Sequence, residues 1–217
     1  MKIIIYVEGP SDRDSLGALL ASLITQAAQG GCLIQFIPTE GKRPLITKVP
    51  LRAVNILRND RKARVFALPD LYPPNIVHPH SSYGQLQQAL IDDFRNECNR
   101  LKVDPAPLLG RFHVHCLKHD LEVLLLAAEE QLKRRLELQT FPTKIRWSKP
   151  VEDQDHQRPP KRVIEELFQH TKRRYIDTVD APLILEGVDP FNIASKCPQC
   201  FKPFLSDLLA LAGLGWS

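Results

Sequence analysis

No apolar stretch in this chain approaches the roughly 20 residues that cross a bilayer, which excludes a helical membrane span. The first apolar run stops at Glu8, too short for the hydrophobic region of a secretory signal. Cysteine is sparse: five are scattered along the chain, an odd number with no disulfide framework. A reduced, cytoplasmic protein is therefore expected. A nucleotide-triphosphate loop of the Walker type is also missing. Gly41-Lys42 lacks both the upstream glycine and the following hydroxyl residue. There is no internal repeat. Nor is there a dominant charge: 29 Lys and Arg against 25 Asp and Glu leave a net +4, too little to imply a nucleic-acid partner by itself. The length of 217 residues allows one large or two small domains.

What the chain does have is carboxylates in matching places. Glu8 ends the run Ile3-Ile4-Ile5-Tyr6-Val7 and precedes Gly9-Pro10-Ser11-Asp12, a glycine turn opening a helix. Asp70 follows a second strand-like run, residues 63–68, and Glu122 lies just past a third, residues 112–117. In open α/β sheets ligand chemistry gathers at the carboxyl ends of the strands. One such acid only caps a helix or ends a strand. Three in the same relation to three strands point to a shared Mg²⁺ or Mn²⁺ site, because hard divalent cations take carboxylate oxygens. Such ions serve phosphodiester chemistry by clamping the attacking and leaving oxygens. Glu8, Asp70 and Glu122 are thus the candidate catalytic residues and metal ligands. Asp12, Tyr72 and His119 are candidates for supporting or substrate contacts around them.

Apolar periodicity predicts strands over 2–7, 32–37, 64–68 and 111–117, with helices over 45–59, 85–101 and 121–138 between or after them. A helix capped by Ser11 or Asp12 ends at Gly30-Gly31, and Pro50 threatens to kink the helix that holds it. The alternation predicts a mostly parallel α/β sheet flanked by helices. After Gln139 the pattern changes to a polar, proline-rich stretch, then helices near 162–172 and 203–211. The expected organisation is an α/β domain over 1–139 and a helical appendage over 140–217 packed on it.

Basic residues cluster in the second half at Lys133-Arg134-Arg135, Lys161-Arg162 and Lys172-Arg173-Arg174. They read equally as solvated helix faces or as a phosphate-binding surface. On the second reading Lys42, Arg134, Arg135, Lys172 and Arg173 would hold nucleic acid. His113 and His115 share one face of a strand but lack a matching second ligand group. Cys197-x-x-Cys200 is one half of a zinc ribbon without a second pair, so a packing role is expected.

Val7-Glu8-Gly9-Pro10-Ser11-Asp12 resembles the first signature of Toprim domains, the metal-dependent module of topoisomerases, primases and overcoming-lysogenization-defect (OLD) nucleases. The second signature is Asp-x-Asp; here that place reads Asp70-Leu71-Tyr72. The ordered set resembles a bacterial Toprim-like family, domain of unknown function 4276. It comprises Asp70-x-Tyr72 followed by proline, His119-Asp120-Leu121-Glu122 before Leu124-Leu125, Tyr175-Ile176-Asp177, and Cys197-Pro198 with Phe201. The resemblance spans nearly the whole chain. It implies a Toprim-like fold and a nuclease-like role on nucleic acid, in bacterial defence or DNA processing. The tyrosine in place of the second aspartate keeps a different class open: a non-catalytic binding or regulatory subunit of an ATPase-containing system. DNA against RNA, one metal against two, and oligomeric state are left open.

Overall fold

The computed structural model describes residues 1–74 and 76–215. Its centre is a four-stranded, wholly parallel sheet of β1 (Lys2–Val7), β2 (Leu33–Pro38), β3 (Ala63–Ala67) and β4 (Phe112–Val114), in the order β2-β1-β3-β4. The expected α/β architecture is the one observed. β1 reads as unbroken apolar sequence because both of its faces are buried, as in parallel sheets generally. Ile3, Ile5 and Val7 point to one side and Ile4 and Tyr6 to the other, the period of two inherent in a strand.

The first side is covered by α1 (Pro10–Leu19) and α2 (Ala21–Gln29), then by α6 (Glu122–Ala127), α7 (Glu129–Leu136), α8 (Pro160–His170), α9 (Asp177–Leu185), α10 (Pro190–Lys196) and α11 (Phe201–Ala212). The second side is covered by α3 (Lys42–Asn59), α4 (Tyr83–Arg100) and α5 (Ala106–Leu109). The C-terminal helices share one continuous core with the sheet: Phe168, Phe201 and Phe204 belong with Ile3, Ile5 and Phe66. Glu152, in a 3₁₀ turn, adds a polar tie. Its buried carboxylate accepts the backbone N–H groups of Gln199 (2.6 Å) and Cys200 (2.9 Å).

Because β2 and β3 lie on opposite sides of β1, the chain leaves β1 across one face and reaches β3 across the other. The crevice between the carboxyl ends of β1 and β3 is therefore a topological switch point, where α/β sheets bind ligands.

Several boundaries depart from the sequence reading. The helix after Glu8 is two, broken at Leu20, and the one over 121–138 is two, broken at Ala128, whose ψ of 47° is not helical. Pro50 lies inside an uninterrupted α3, buried in its apolar face. β4 is only three residues long. α9 and α10 were not anticipated. α9 contains Pro182 and is mostly apolar all round, so it carries neither a clean period nor a polar face.

Candidate functional site

Glu8 is the first residue beyond β1. Its Oε1 accepts the backbone N–H of Asp70 at 2.9 Å, which fastens the ends of β1 and β3 together. Asp70 in turn forms a parallel bridge with Leu117, so the segment after β4 is held at the same level. Gly9 caps α1, and Asp12 in the first turn accepts the Gly9 N–H at 2.8 Å. On the other wall Glu122 opens α6 with its side chain almost wholly buried. Glu8, Asp12, Asp70 and Glu122 therefore line one cleft of about 340 Å³. It also contains Glu40, Asp120, Lys161 and Asp177. The three acids do line one cleft, two of them just beyond β1 and β3 and Glu122 at the start of α6.

Their electrostatics follow from crowding carboxylates out of water. Burial raises Glu8 from 4.5 to about 7, against the Asp70 N–H and Lys42, which lower it. Burial and then Asp120 raise Glu122 to about 8. Burial raises Asp120 to about 6. Asp70 is raised well above the usual range by burial, with Glu8, Asp12 and Asp120 adding repulsion. Two lysines oppose this. Lys42, at the start of α3, donates from Nζ to the carbonyls of Leu71 (3.1 Å) and Pro73 (2.5 Å) and is felt by both Glu8 and Asp70. Lys161 lies 3.2 Å from Asp177 and 3.8 Å from Glu122. Burial works to lower Lys161, but Glu122 and Asp177 outweigh it and the net direction is up.

Asp120 shows how the site is left unsatisfied. Its Oδ2 accepts the Lys161 backbone N–H at 3.2 Å, while its Oδ1 is buried with no partner. Burial and then Glu122 raise the Tyr175 hydroxyl, which lies against that carboxyl. An orphaned carboxylate oxygen amid acids that resist ionisation fits a cation-binding role. The side chains do not form a finished cage: among the described residues no three His, Cys, Asp or Glu stand ready as a coordination group. Mg²⁺ does not require one, since it retains waters and binds through one or two carboxylates.

Other expected site residues lie elsewhere. Tyr72 and His119 do not line the cleft. They form a ring cluster with His156 beside it. Burial lowers His119 to about 4, which keeps it neutral. Arg134, Arg135 and Arg173 line a separate cavity of about 470 Å³ behind α9. Arg135 donates from Nε (2.9 Å) and Nη2 (2.6 Å) to the buried Asp180. Arg173 donates to the Arg135 carbonyl and pairs with Glu137. Lys172 is exposed, outside both cavities, with a left-handed φ of 59°. Cys197 and Cys200 are buried, and the Cys200 thiol contacts that of Cys116 at 3.4 Å.

Sequence reasoning missed Asp120, Asp177 and Tyr175 as site members, and treated Lys161 as half of a basic pair. A signal existed. Asp120 and Glu122 stand two apart, and Asp177 is an acid at a helix start, like Asp12.

Residues 7–209 match the family model "Domain of unknown function (DUF4276)". The chain belongs to that family. No curated protein is significantly similar to it. Among solved structures it is similar to the C-terminal region of the Xanthomonas campestris pv. campestris OLD protein, with 14% identity, a TM-score of 0.45, and 95% of this chain and 97% of that one covered. It is also similar to the C-terminal region of the Burkholderia pseudomallei OLD protein, with 17% identity, a TM-score of 0.45, and 97% and 98% covered. Among the described residues no helix is long and apolar enough to cross a membrane.

Proposed function

We propose that the cleft carries out metal-dependent phosphodiester chemistry on nucleic acid, as a nuclease-like activity. One observation carries this reading: carboxylates just beyond β1 and β3 and at the start of α6 crowd the switch-point cleft, buried and pushed toward neutrality, with one buried oxygen left without a partner. Glu8, Asp70 and Glu122 would hold Mg²⁺ or Mn²⁺, with Asp12 and Asp120 supporting them. A bound divalent ion supplies charge neutralisation at phosphate oxygens and a water of lowered pKa. The protein's own groups supply the rest. Lys161 and Lys42 bring positive charge to an otherwise acidic wall, so an anionic phosphate can approach. Where Glu8 is not bound to the ion, its carboxyl would accept a proton from an attacking water and return one to the leaving oxygen.

The test is cleavage of mixed DNA and RNA in Mg²⁺ or Mn²⁺, with Mn²⁺ binding followed by calorimetry in parallel. Glu8→Gln keeps size and removes charge. Loss of both cleavage and metal affinity in a folded variant is expected. Full activity in Glu8→Gln sinks the reading.

A second reading has its own observation. At the position where Toprim signatures carry a second aspartate, Tyr72 spends its hydroxyl on the Ser81 carbonyl. A metal site so altered suits a binding or regulatory subunit beside an ATPase. Metal binding without any cleavage would favour it.

A further inference from the structure

We propose that Tyr72 and His156 form a stacking platform for an unpaired nucleobase next to the acid cleft, an inference that rests on the nucleic-acid reading above. The two ring centroids are 4.0 Å apart, and His119 completes a triangle at 5.9 Å from Tyr72 and 5.2 Å from His156. Exposure is graded across the cluster: His119 is buried, Tyr72 half-buried and His156 open to solvent. The cluster therefore sets the exposed His156 ring, tilted 51° to that of Tyr72, on a buried base.

Its position ties it to the chemistry. Tyr72 is two residues beyond Asp70, and His119 immediately precedes Asp120, so the rings flank two acids of the cleft. The loop is anchored from several directions. Lys42 holds the Leu71 and Pro73 carbonyls on either side of Tyr72, and a ring nitrogen of His80 lies 2.7 Å from the Leu71 oxygen. The Tyr72 hydroxyl donates to Ser81 O at 3.1 Å. With that hydroxyl committed and His119 Nε2 turned to the Glu152 carbonyl at 3.3 Å, Tyr72 and His119 offer π surface rather than hydrogen bonds. Such surfaces stack any base, and they reach bases that are not already stacked in a duplex. The ligand class is single-stranded or locally unpaired nucleic acid, bound with little sequence preference.

The test uses the full chain with Ca²⁺ in place of Mg²⁺, a larger divalent ion of looser coordination, so that binding is read without turnover. Anisotropy follows a short single-stranded oligonucleotide with 2-aminopurine at successive positions. Tyr72→Ala should weaken binding about 10- to 100-fold, and Tyr72→Phe, which keeps the ring, should bind like the parent. Quenching at one position should vanish in Tyr72→Ala. An abasic site there should weaken the parent to a similar degree but cost Tyr72→Ala nothing further. Equal affinity in Tyr72→Ala overturns the platform, as does an equal loss in Tyr72→Phe, which would assign Tyr72 to loop anchoring. A loss from the abasic site that persists in Tyr72→Ala overturns it too. Each of these leaves the nuclease-like reading standing. A parent chain that binds no nucleic acid at all overturns both.

Discussion

Replacing Glu122 by Gln should stabilise the metal-free protein at alkaline pH and not at acid pH. Glu122 is 3% exposed and titrates near 8 instead of 4.5, first because burial penalises its charged form and then because Asp120 repels it. A carboxyl whose folded value is raised binds its proton more tightly in the folded state. Its contribution to stability is complete below 4.5 and is lost as pH rises through about 8. The span from 4.5 to about 8 corresponds to about 5 kcal/mol across that window. Gln never ionises, so it escapes this loss. Its amide N–H groups cost about 1–3 kcal/mol if they find no partner. The net expectation is a gain on the order of 2–4 kcal/mol for the variant at pH 9. At pH 4.5 a loss of about 1–3 kcal/mol remains.

Urea denaturation in EDTA at a series of pH values measures this directly. Glu8 and Asp70 titrate in both chains, so the difference between the two curves reports Glu122 together with its coupling to Asp120. The curves should cross between pH 5 and pH 8. Parallel curves, with the variant lower by a constant amount, would mean that Glu122 ionises at no cost and would refute the reasoning. Mg²⁺ adds a second arm. A ligand at 100 times its Kd stabilises by about 2.7 kcal/mol. At pH 9 the parent should gain stability in Mg²⁺ and Glu122→Gln should gain less.

Much of the site was legible because it obeys one rule of α/β folds. Glu8 and Asp70 each follow a short apolar run, and strand ends converge wherever strands are parallel neighbours. Glu122 was found by the same rule, though β4 stops at Val114 and the acid sits at the start of α6. β1 was legible because both of its faces are buried, which leaves an unbroken apolar run. What sequence could not supply was the far wall. Lys161 and Asp177 belong to α8 and α9, and nothing in local pattern says that these helices fold back over the first side of the sheet. That placement comes from long-range burial of residues such as Ile184 and Phe204. The basic clusters failed as a guide for a related reason. Charge runs look alike whether solvated or internally paired, and only the fold shows Arg135 spent on Asp180 and Arg173 on Glu137.

Glu152→Ala should cost about 3 kcal/mol, read as a shift in urea midpoint, because it orphans the backbone N–H groups of Gln199 and Cys200 at the start of α11. A loss below about 0.5 kcal/mol would mean that water replaces the carboxylate there. The last expectation concerns Arg134 and Arg174, which line the cavity behind α9 with exposed side chains. Unlike Arg135 and Arg173, they take part in no hydrogen bond or ion pair through their guanidinium groups among the described residues. Asp177 and Thr178 face the acid cleft while Ile176, Val179 and Asp180 face this cavity, so the start of α9 is a shared wall. A strand leaving the cleft past α9 would meet these two arginines. Changing both to Ala should then weaken binding to all sequences alike and reduce the salt slope of log K by about 2, one for each phosphate no longer neutralised. Changing Arg135 instead should chiefly destabilise the fold, because it strands the buried Asp180 carboxylate. An unchanged salt slope in the Arg134 and Arg174 double variant would show that these side chains only solvate α7 and the turn after α8, and that the strand leaves by another wall.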